Sequence, residues 1–223
     1  MKTALRLISD VHGKTSEYIQ LASAVDYSIQ LGDMGRYDFV EKLDPNRHKF
    51  FAGNHDNYDI IDKIPHNMGR YGIFELNGVR GFFIRGAHSV DKNYRLRDWV
   101  YLGHKSWWEE EELTYKELCH AIDMYKSIKP DLMLTHTFPD SWCKKFGSNK
   151  ILNYFGYTKE NYRTVTCCAL DACFEYHKPK LWHGAHFHFN KDKVWHTTRF
   201  ICRRELGYTD LDENLNVIGD YND

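Results

Sequence analysis

Residues 4–12 read Ala-Leu-Arg-Leu-Ile-Ser-Asp-Val-His, an apolar run that ends in an aspartate and a histidine. The run of large apolar side chains predicts a β-strand over residues 4–9. Asp10 and His12 follow it directly, and on an extended chain side chains two residues apart point the same way. A carboxylate and an imidazole delivered together at the end of a strand can reach one metal ion.

The same arrangement recurs further along the chain. Strand-like and helix-like patterns alternate at residues 4–9, 15–23, 27–31, 37–43 and 49–52. The second and third strands run into the polar clusters Gly32-Asp33 and Gly53-Asn54-His55-Asp56. The order β-α-β-α-β favours parallel pairing with right-handed crossovers. Because ligands bind beyond the carboxyl ends of such strands, we expect Asp10, Asp33 and Asn54 to meet at one edge of the sheet.

Two more predicted strands end in histidines. The strand at residues 131–135 delivers His136, and the strand at 180–183 delivers His186 and His188. Short antiparallel strands are expected to close the domain near residues 193–195, 199–205 and 216–218.

The middle of the chain is less regular. A strand at residues 79–85 runs into a predicted loop at 86–95. Thr114 and Glu117 have the spacing of a capping box, which predicts a helix that begins at Thr114 and is closed by Pro130. The acidic run at 109–112 is typical of a solvated helix entry that the helix dipole favours.

The candidate metal ligands are nitrogen and oxygen donors without a thiolate. They are Asp10, His12, Asp33, Asn54, His136, His186 and His188. Such a set suits Mn²⁺ best, with Zn²⁺, Fe or Ni²⁺ as alternatives, and does not suit Cu(I) or an iron–sulfur cluster. A single histidine among the 13 in this chain is more often structural, but the ordered set indicates metal binding.

Asp33 lies between Gly32 and Gly35, where a carboxylate can approach two cations and bridge them. Two ions that share a carboxylate lie about 3.5–4 Å apart, the separation used in phosphatases and nucleases. A water bound to both ions becomes a hydroxide near neutral pH and can attack phosphorus in line. The sequence therefore predicts metal-assisted hydrolysis of a phosphoester.

The ordered set D-x-H, G-D, G-N-H-D, a lone His136 and G-x-H-x-H resembles the calcineurin-like metallophosphoesterase superfamily, over roughly residues 4–200. The resemblance implies an α/β fold in which two mixed β-sheets pack together and helices flank them. One departure is visible, because Ala185 stands where the family usually has the glycine of Gly-His-x-His. The alanine puts the local turn in question.

The resemblance also implies a role for each site residue. The first metal would be held by Asp10, His12, Asp33 and His188. The second would be held by Asp33, Asn54, His136 and His186. His55 would act as the general acid or stabilise the transition state, and Asp56 would orient His55.

Composition sets broader limits. The 223 residues can form one sizeable core, burying about 70% of the unfolded surface, and we expect a single domain over residues 1–223. The net charge of −1 provides no basic field that would attract nucleic acid. Six cysteines without a C-x-x-C pair, and no long apolar stretch, predict a cytoplasmic protein that does not enter membranes.

The substrate is less clearly indicated. Arg95 and Arg97 can bind phosphate, together with Asn54 and His55 of the third cluster. Tryptophans at positions 99, 107 and 108 can stack on a ring, although the segment can equally be a surface loop packed by its own aromatics. We expect a small phosphomonoester, a nucleotide or a nucleic-acid phosphodiester as substrate. The sequence does not indicate an oligomeric state.

Three alternatives remain. A binding scaffold that has lost catalysis usually lacks ligands or the acid, and this chain has both. A protein phosphatase of the superfamily usually carries an arginine before the G-N-H block, where this chain has Ala52. A regulatory metal sensor would use the same ligands without hydrolysing an ester.

Overall fold

The computed structural model describes residues 2–221 and contains two mixed β-sheets. The first sheet has the order β11-β10-β1-β2-β3. Its strands are β1 (Leu5–Ile8), β2 (Ser28–Gln30), β3 (His48–Phe50), β10 (Tyr208–Leu211) and β11 (Val217–Tyr221). The second sheet has the order β4-β5-β6-β7-β9-β8. Its strands are β4 (Tyr71–Leu76), β5 (Val79–Ile84), β6 (Leu132–Thr135), β7 (Leu181–Gly184), β8 (Lys191–Trp195) and β9 (Thr198–Cys202).

Helices cover the outer faces of the sheets. They are α1 (Thr15–Ser23), α2 (Lys92–Leu102), α3 (Tyr115–Ile128), α4 (Asp140–Phe146), α5 (Asn149–Tyr154) and α6 (Val165–Tyr176). Short 3₁₀ turns lie at Ile61–Lys63 and Glu109–Glu111. The expected α/β sandwich of two mixed sheets flanked by helices is confirmed. No helix of the described chain is both long and apolar enough to cross a lipid bilayer.

The main core lies between the two sheets. Alternate residues of β1 face inward, so Leu5 and Leu7 pack against the second sheet while Ile8 faces α1. The rings of Phe51 and Phe83 stack across the interface, with centroids 5.5 Å apart. A second core lies between α3, α6 and the outer face of the second sheet. This packing holds the carboxyl ends of β1, β2, β3, β6 and β7 at one edge.

The parallel order of the first three strands is confirmed, since β1 pairs with β2 and β2 with β3 in parallel register. The predicted cap of α3 is also present: Thr114 accepts from the amide of Glu117, and the Glu117 carboxylate accepts from the amide of Thr114. Of the closing strands, β8 pairs with β9 antiparallel, but β9 joins β7 in parallel.

The helix predicted at residues 37–43 is wrong. The segment forms consecutive turns, in which the amides of Val40 and Lys42 bond carbonyls three residues back. The following Asp44-Pro45 step disfavours helical geometry at Asp44 and stops propagation. Phe39 and Leu43, four residues apart, are nevertheless both buried. The spacing of the apolar residues therefore indicated which side chains are buried but not the backbone conformation.

Two further expectations need correction. The predicted loop at residues 86–95 is shorter, because α2 begins at Lys92. The acidic run at 109–112 is not uniformly solvated: Glu109 and Glu110 are exposed, but Glu111 is buried. Sequence patterns also missed β4, β10 and the helices α4, α5 and α6.

A buried ion pair joins the two ends of the chain in the first sheet. The Arg6 guanidinium donates to both carboxylate oxygens of Asp210, over 2.7 and 2.8 Å, and lies over the ring of Tyr208. Truncating Asp210 to alanine would leave the arginine charge buried without its partner. We expect Asp210→Ala to lower the free energy of unfolding by about 3 kcal/mol, as measured by urea denaturation.

The control for this variant is Lys2→Ala, which removes a solvent-exposed ion pair between the segment before β1 and Asp26, which precedes β2. Its denaturation midpoint should match the wild type. An Asp210→Ala protein as stable as the control would show that the Arg6–Asp210 pair does not fasten β10 to β1.

Candidate metal centre

Five strand ends deliver the predicted ligands to one edge of the sandwich. The first sheet supplies Asp10 and His12 after β1, Asp33 after β2, and Asn54 after β3. The second sheet supplies His136 after β6, and His186 and His188 after β7. The donor atoms of the six histidines and aspartates among them form two groups, each with all its atoms within 4.8 Å of one another: Asp10, His12 and His188, and Asp33, His136 and His186.

The first group brings two imidazoles face to face. Nε2 of His12 lies 3.3 Å from Nε2 of His188, and the two rings stack with centroids 4.9 Å apart. The buried Asp10 carboxylate accepts from the Ser9 hydroxyl and from the backbone amide of His186. Two ring nitrogens and a carboxylate that converge in this way have the donor chemistry of a Mn²⁺ or Zn²⁺ site.

The second group is more deeply buried. Nδ1 of His136 lies 2.7 Å from the Leu31 carbonyl oxygen, which can only accept, so Nδ1 carries a proton. This leaves Nε2 directed at Oδ1 of Asn54 (3.1 Å) and Oδ1 of Asp33 (3.3 Å). Burial disfavours a second proton on this ring, but the carboxylates of Asp33 and Asp10 outweigh it and raise the pKa of His136 to about 9. The site thus attracts positive charge strongly.

Asp33 faces both groups. Its Oδ1 points to His136 as described, and its Oδ2 lies 3.7 Å from Nε2 of His12. Burial alone would raise the pKa of Asp33, but the histidines around it, His136 foremost, hold that pKa well below its usual range. Oδ2 is buried and accepts no hydrogen bond from the described residues. An ionised oxygen in that position is costly unless a cation faces it, so the residues present fit a metal pair that shares Asp33.

The ligand loops have unusual backbone geometry. Four of the ligands have left-handed backbones: His12 (φ 47°), Asp33 (φ 61°), His186 (φ 69°) and His188 (φ 52°). Such geometry costs of order 1–3 kcal/mol at each non-glycine residue and persists only where the surroundings enforce it. Glycine is required beside them: a Cβ on Gly53 would collide with the Asp33 carboxylate, and one on Gly32 with the His136 ring.

Ala185 causes no strain at the position where a glycine is usual. Its backbone is not left-handed, and the turn passes instead through His186 and His188. The Ala185 side chain is buried in the core between the sheets, and its amide donates to the His136 carbonyl. The departure from the family pattern therefore leaves the ligand loop intact.

Asp56 acts on the backbone of the Asp33 loop and not on His55. Its carboxylate accepts from the amides of Asp33, Met34, Gly35 and Gly53, and from the hydroxyl of Tyr37. The expected orientation of His55 by Asp56 needs correction, because these five donors occupy the Asp56 oxygens and hold them on the side of the Asp33 loop.

The neighbour of His55 is Arg95. Nη2 of Arg95 lies 2.7 Å from Nε2 of His55. Although His55 reaches solvent on one side, the protein packed around its ring lowers its pKa, and Arg95 adds to this effect against the Asp33 carboxylate. The resulting pKa of about 4 keeps the ring neutral at pH 7.

Only one of the two arginines predicted to contact substrate lies in the site. Arg95 is buried and held by the Asp91 carboxylate (2.9 Å) and the Ser106 carbonyl (2.9 Å). Arg97 lies on the solvent side of α2, 3.9 Å from Asp98, and does not line either of the cavities described below.

Ser89 and Glu111 hold the Asn54 amide in place. Nδ2 of Asn54 donates to Ser89 Oγ (3.0 Å), and Ser89 donates to Glu111 (2.6 Å). These two hydrogen bonds turn Oδ1 of Asn54 towards His136. Burial raises the pKa of Glu111 to about 8. Ser89 follows β5, which runs parallel to β6, so the strand-end rule used for the ligands applies to it as well.

Two other histidines lie near the centre without joining it. His183 is buried, and its Nε2 lies 3.0 Å from the Thr209 hydroxyl. His88 pairs with Glu112 over 3.0 Å at the wall of a cavity. Neither belongs to the two ligand groups.

Two cavities meet at His55. One, of about 450 Å³, is open and polar and is lined by Arg95, Lys105 and Trp108 among others. The other, of about 470 Å³, is more enclosed and begins at the ligands Asn54, His186 and His188. A group bound at the metal centre therefore has space on both sides of His55.

Comparison with solved structures shows the same fold. A putative 5′-nucleotidase from Staphylococcus aureus matches 96% of this chain and 52% of its own length, with a TM-score of 0.53 and 13% identity; the chain thus spans about half of that protein. A phosphopantetheinyl hydrolase from Mycobacterium tuberculosis matches with a TM-score of 0.48 and 15% identity, over 92% of this chain and 90% of that one. A phosphatase from Mycoplasma pneumoniae matches with a TM-score of 0.47 and 15% identity, over 97% and 91%.

Comparison at the level of sequence found no counterpart. No protein-family model matches the chain, and no curated protein sequence matches it significantly. The likeness to known proteins therefore lies in the fold.

The shared position of Asp33 gives a test of the metal centre. We expect purified protein incubated with Mn²⁺ to retain two ions per chain, and Asp33→Asn to lose at least one, because the amide cannot replace the shared negative charge. Metal content after gel filtration, measured by mass spectrometry, checks this.

The matched control is Asp38→Asn, which removes an exposed carboxylate from the loop after Asp33. It should retain the wild-type metal content. Equal metal content in Asp33→Asn and wild type would contradict a centre built on this carboxylate.

Proposed function

We propose that this chain, which has the two-sheet fold of the calcineurin-like metallophosphoesterases, is a metal-dependent phosphoesterase. Its proposed substrates are small phosphomonoesters and phosphodiesters of nucleotides or nucleic acid. The observation that carries the proposal is the pair of ligand groups that face each other across Asp33. Two divalent cations, Mn²⁺ in our proposal, would supply Lewis-acid charge for water activation and for the phosphoryl oxygens when bound there.

Side chains of the protein are proposed to bind and orient the substrate. Asn54 contributes a neutral oxygen that the Ser89–Glu111 chain holds in place. Arg95 is fixed before substrate arrives by Asp91 and by backbone carbonyls, so its charge needs no reorganisation to meet a phosphoryl oxygen at the mouth of the site. Donors that are already oriented act most strongly where charge develops in the transition state.

His55 is proposed to donate a hydrogen bond beside the leaving oxygen. It lines both cavities and its backbone amide donates to Asp33 over 2.7 Å, which places the ring next to the ligand groups. Because its low pKa keeps the ring neutral at pH 7, transition-state stabilisation by an N–H group is favoured over proton release from an imidazolium. The positive charge beside it comes from Arg95.

The alternatives receive less support from the site. A scaffold without catalysis has no need for ligands, His55 and Arg95 to converge as they do here. The arginine typical of the protein phosphatases is replaced by Ala52, which is fully buried and cannot reach a phosphoprotein.

A cytoplasmic location remains part of the proposal. All six cysteines are free thiols, which supports a reducing compartment. The proposed partners are phosphorylated small molecules or nucleotides, with nucleic acid as a further possible substrate, and we propose no association with membranes. The name of the Staphylococcus aureus neighbour, a putative 5′-nucleotidase, adds support for a nucleotide substrate.

The function is tested by a screen of the Mn²⁺-loaded protein against phosphomonoesters, a bis-ester, cyclic nucleotides and single-stranded DNA and RNA. We expect release of phosphate or alcohol from at least one class and its loss when EDTA removes the metal. Protein that holds two metal ions yet hydrolyses none of these esters would support the scaffold or the metal sensor.

His55 has its own test. We expect His55→Ala to retain metal while kcat falls by about 10²-fold, the scale of a lost proton-transfer or hydrogen-bonding group. Steady-state kinetics and metal content of the same sample measure both. His104→Ala, a change at an exposed histidine on the loop after α2, is the control and should leave kcat unaltered. An unchanged kcat in His55→Ala would remove His55 from the mechanism.

A further inference from the structure

The more enclosed cavity adjoins the metal centre on the side of the second sheet. We call it the α5 cavity, because residues of α5 and the loop after it form one wall. Its inner end is formed by Asn54, His55, His186 and His188. A phosphoester whose phosphorus lies at the metal centre, with its leaving oxygen beside His55, can place its alcohol portion only in this cavity or in the open one. The enclosed cavity would bury more of the alcohol portion than the open one.

The walls of the α5 cavity are mainly apolar and aromatic. They include Leu152, Phe155, Tyr162, Phe187 and Phe189. These side chains are partly buried, so they keep surface available to an occupant. Glycerol or a sugar would leave this apolar surface unmatched, whereas a flat aromatic ring would cover it. Stacking of a nucleobase on aromatic side chains contributes about 1–3 kcal/mol per base.

The charge in the wall of the same cavity that has no partner is positive. Its two aspartates are already paired, Asp140 with Lys144 (2.8 Å) and Asp91 with Arg95 (2.9 Å). Lys150 and Lys159 also line the cavity, and neither forms an ion pair with a carboxylate among residues 2–221. Two ammonium groups in the cavity wall without a carboxylate partner among the described residues favour an occupant with a second anionic group.

We propose that the α5 cavity binds a nucleotide that carries a second phosphate besides the one hydrolysed, with its base among the aromatic side chains and the second phosphate at Lys150 and Lys159. This substrate assignment rests on the proposed phosphoesterase function. The cavity volume of about 470 Å³ suits one ligand of this size. Hydrolysis forms a bond from a water oxygen to phosphorus and breaks the ester bond, and the sugar oxygen departs with a proton.

The test compares three substrates of the Mn²⁺-loaded enzyme: adenosine 3′,5′-bisphosphate, adenosine 5′-monophosphate and glycerol phosphate. We expect kcat/KM to fall in that order. Phe155→Ala should raise KM for both adenosine compounds by about 10-fold, the equivalent of one lost stacking contact, without changing KM for glycerol phosphate. Tyr101→Ala is the control, since Tyr101 is 78% exposed on α2 and lies outside the cavity.

The lysines are tested by surface substitutions that leave the core unchanged. The double variant Lys150→Gln with Lys159→Gln should raise KM for the bisphosphate by about 10-fold, because two charged contacts are lost, and leave the monophosphate unaffected. Lys145→Gln, an exposed lysine of α4 outside the cavity, is the control. Equal effects on the bisphosphate and the monophosphate, or none, would overturn the second-phosphate site.

Two further measurements separate the possible failures. A ten-residue deoxyadenosine strand presents the same base and phosphate chemistry. If its kcat/KM exceeds that of the bisphosphate, the occupant of the cavity is the end of a nucleic-acid strand and the proposal of a free nucleotide is overturned. If no ester is hydrolysed, calorimetric binding of the bisphosphate, weakened in Phe155→Ala, still supports the cavity while the proposed function fails. If esters are hydrolysed without preference for nucleotides, the function stands and this inference fails.

Discussion

The charge of the buried Asp33 carboxylate is the constraint on which the rest of the site depends. Its Oδ1 faces His136 and its Oδ2, without a donor among the described residues, faces His12. The surrounding chain keeps that carboxylate fixed. Gly32 and Gly53 leave room for it and for His136, and the Asp56 carboxylate accepts hydrogen bonds from the backbone amides of Asp33 and Gly53. A buried charge held in this way is costly unless it is neutralised, and a cation bound among these nitrogen and oxygen donors would neutralise it.

The same constraint links the metal centre to the fold. Asp10, His12, Asp33 and Asn54 come from the first sheet, whereas His136, His186 and His188 come from the second. Each ligand group contains members from both sheets. A cation bound in either group would therefore join the two halves of the sandwich at the edge where the strands end. Because such binding would favour the folded form alone, it would offset the strain of the left-handed ligand residues.

Much of this arrangement could be predicted because it is encoded locally. A strand followed at once by Asp10 and His12, or by Asp33, is visible in a few residues, and parallel pairing then brings such ends together without knowledge of the side chains between them. The prediction of a helix at residues 37–43 was wrong because consecutive turns can also bury Phe39 and Leu43, which lie at helical spacing. The burial of Glu111 was not predicted because it depends on Ser89 of the loop after β5 and on Arg95 of α2, which lie 22 and 16 residues away in the sequence. Arg95 and Arg97 could not be told apart until the position of α2 was known.

The features that the sequence predicted are the strand ends that carry the candidate ligands, and the features that it did not predict are the helices and loops around the cavities. Strand ends carry the ligands, and a small displacement there would separate groups that must lie within 4.8 Å. The walls of the α5 cavity come largely from α4, α5 and the loops beside them, which no sequence pattern predicted. Those segments lie outside the sheets, so their side chains can differ without disturbing the ligands. His55 lies at the boundary, with its backbone bound to Asp33 and its ring facing both cavities. His55 is therefore the residue through which the proposed metal centre would meet the surface proposed to select the ester.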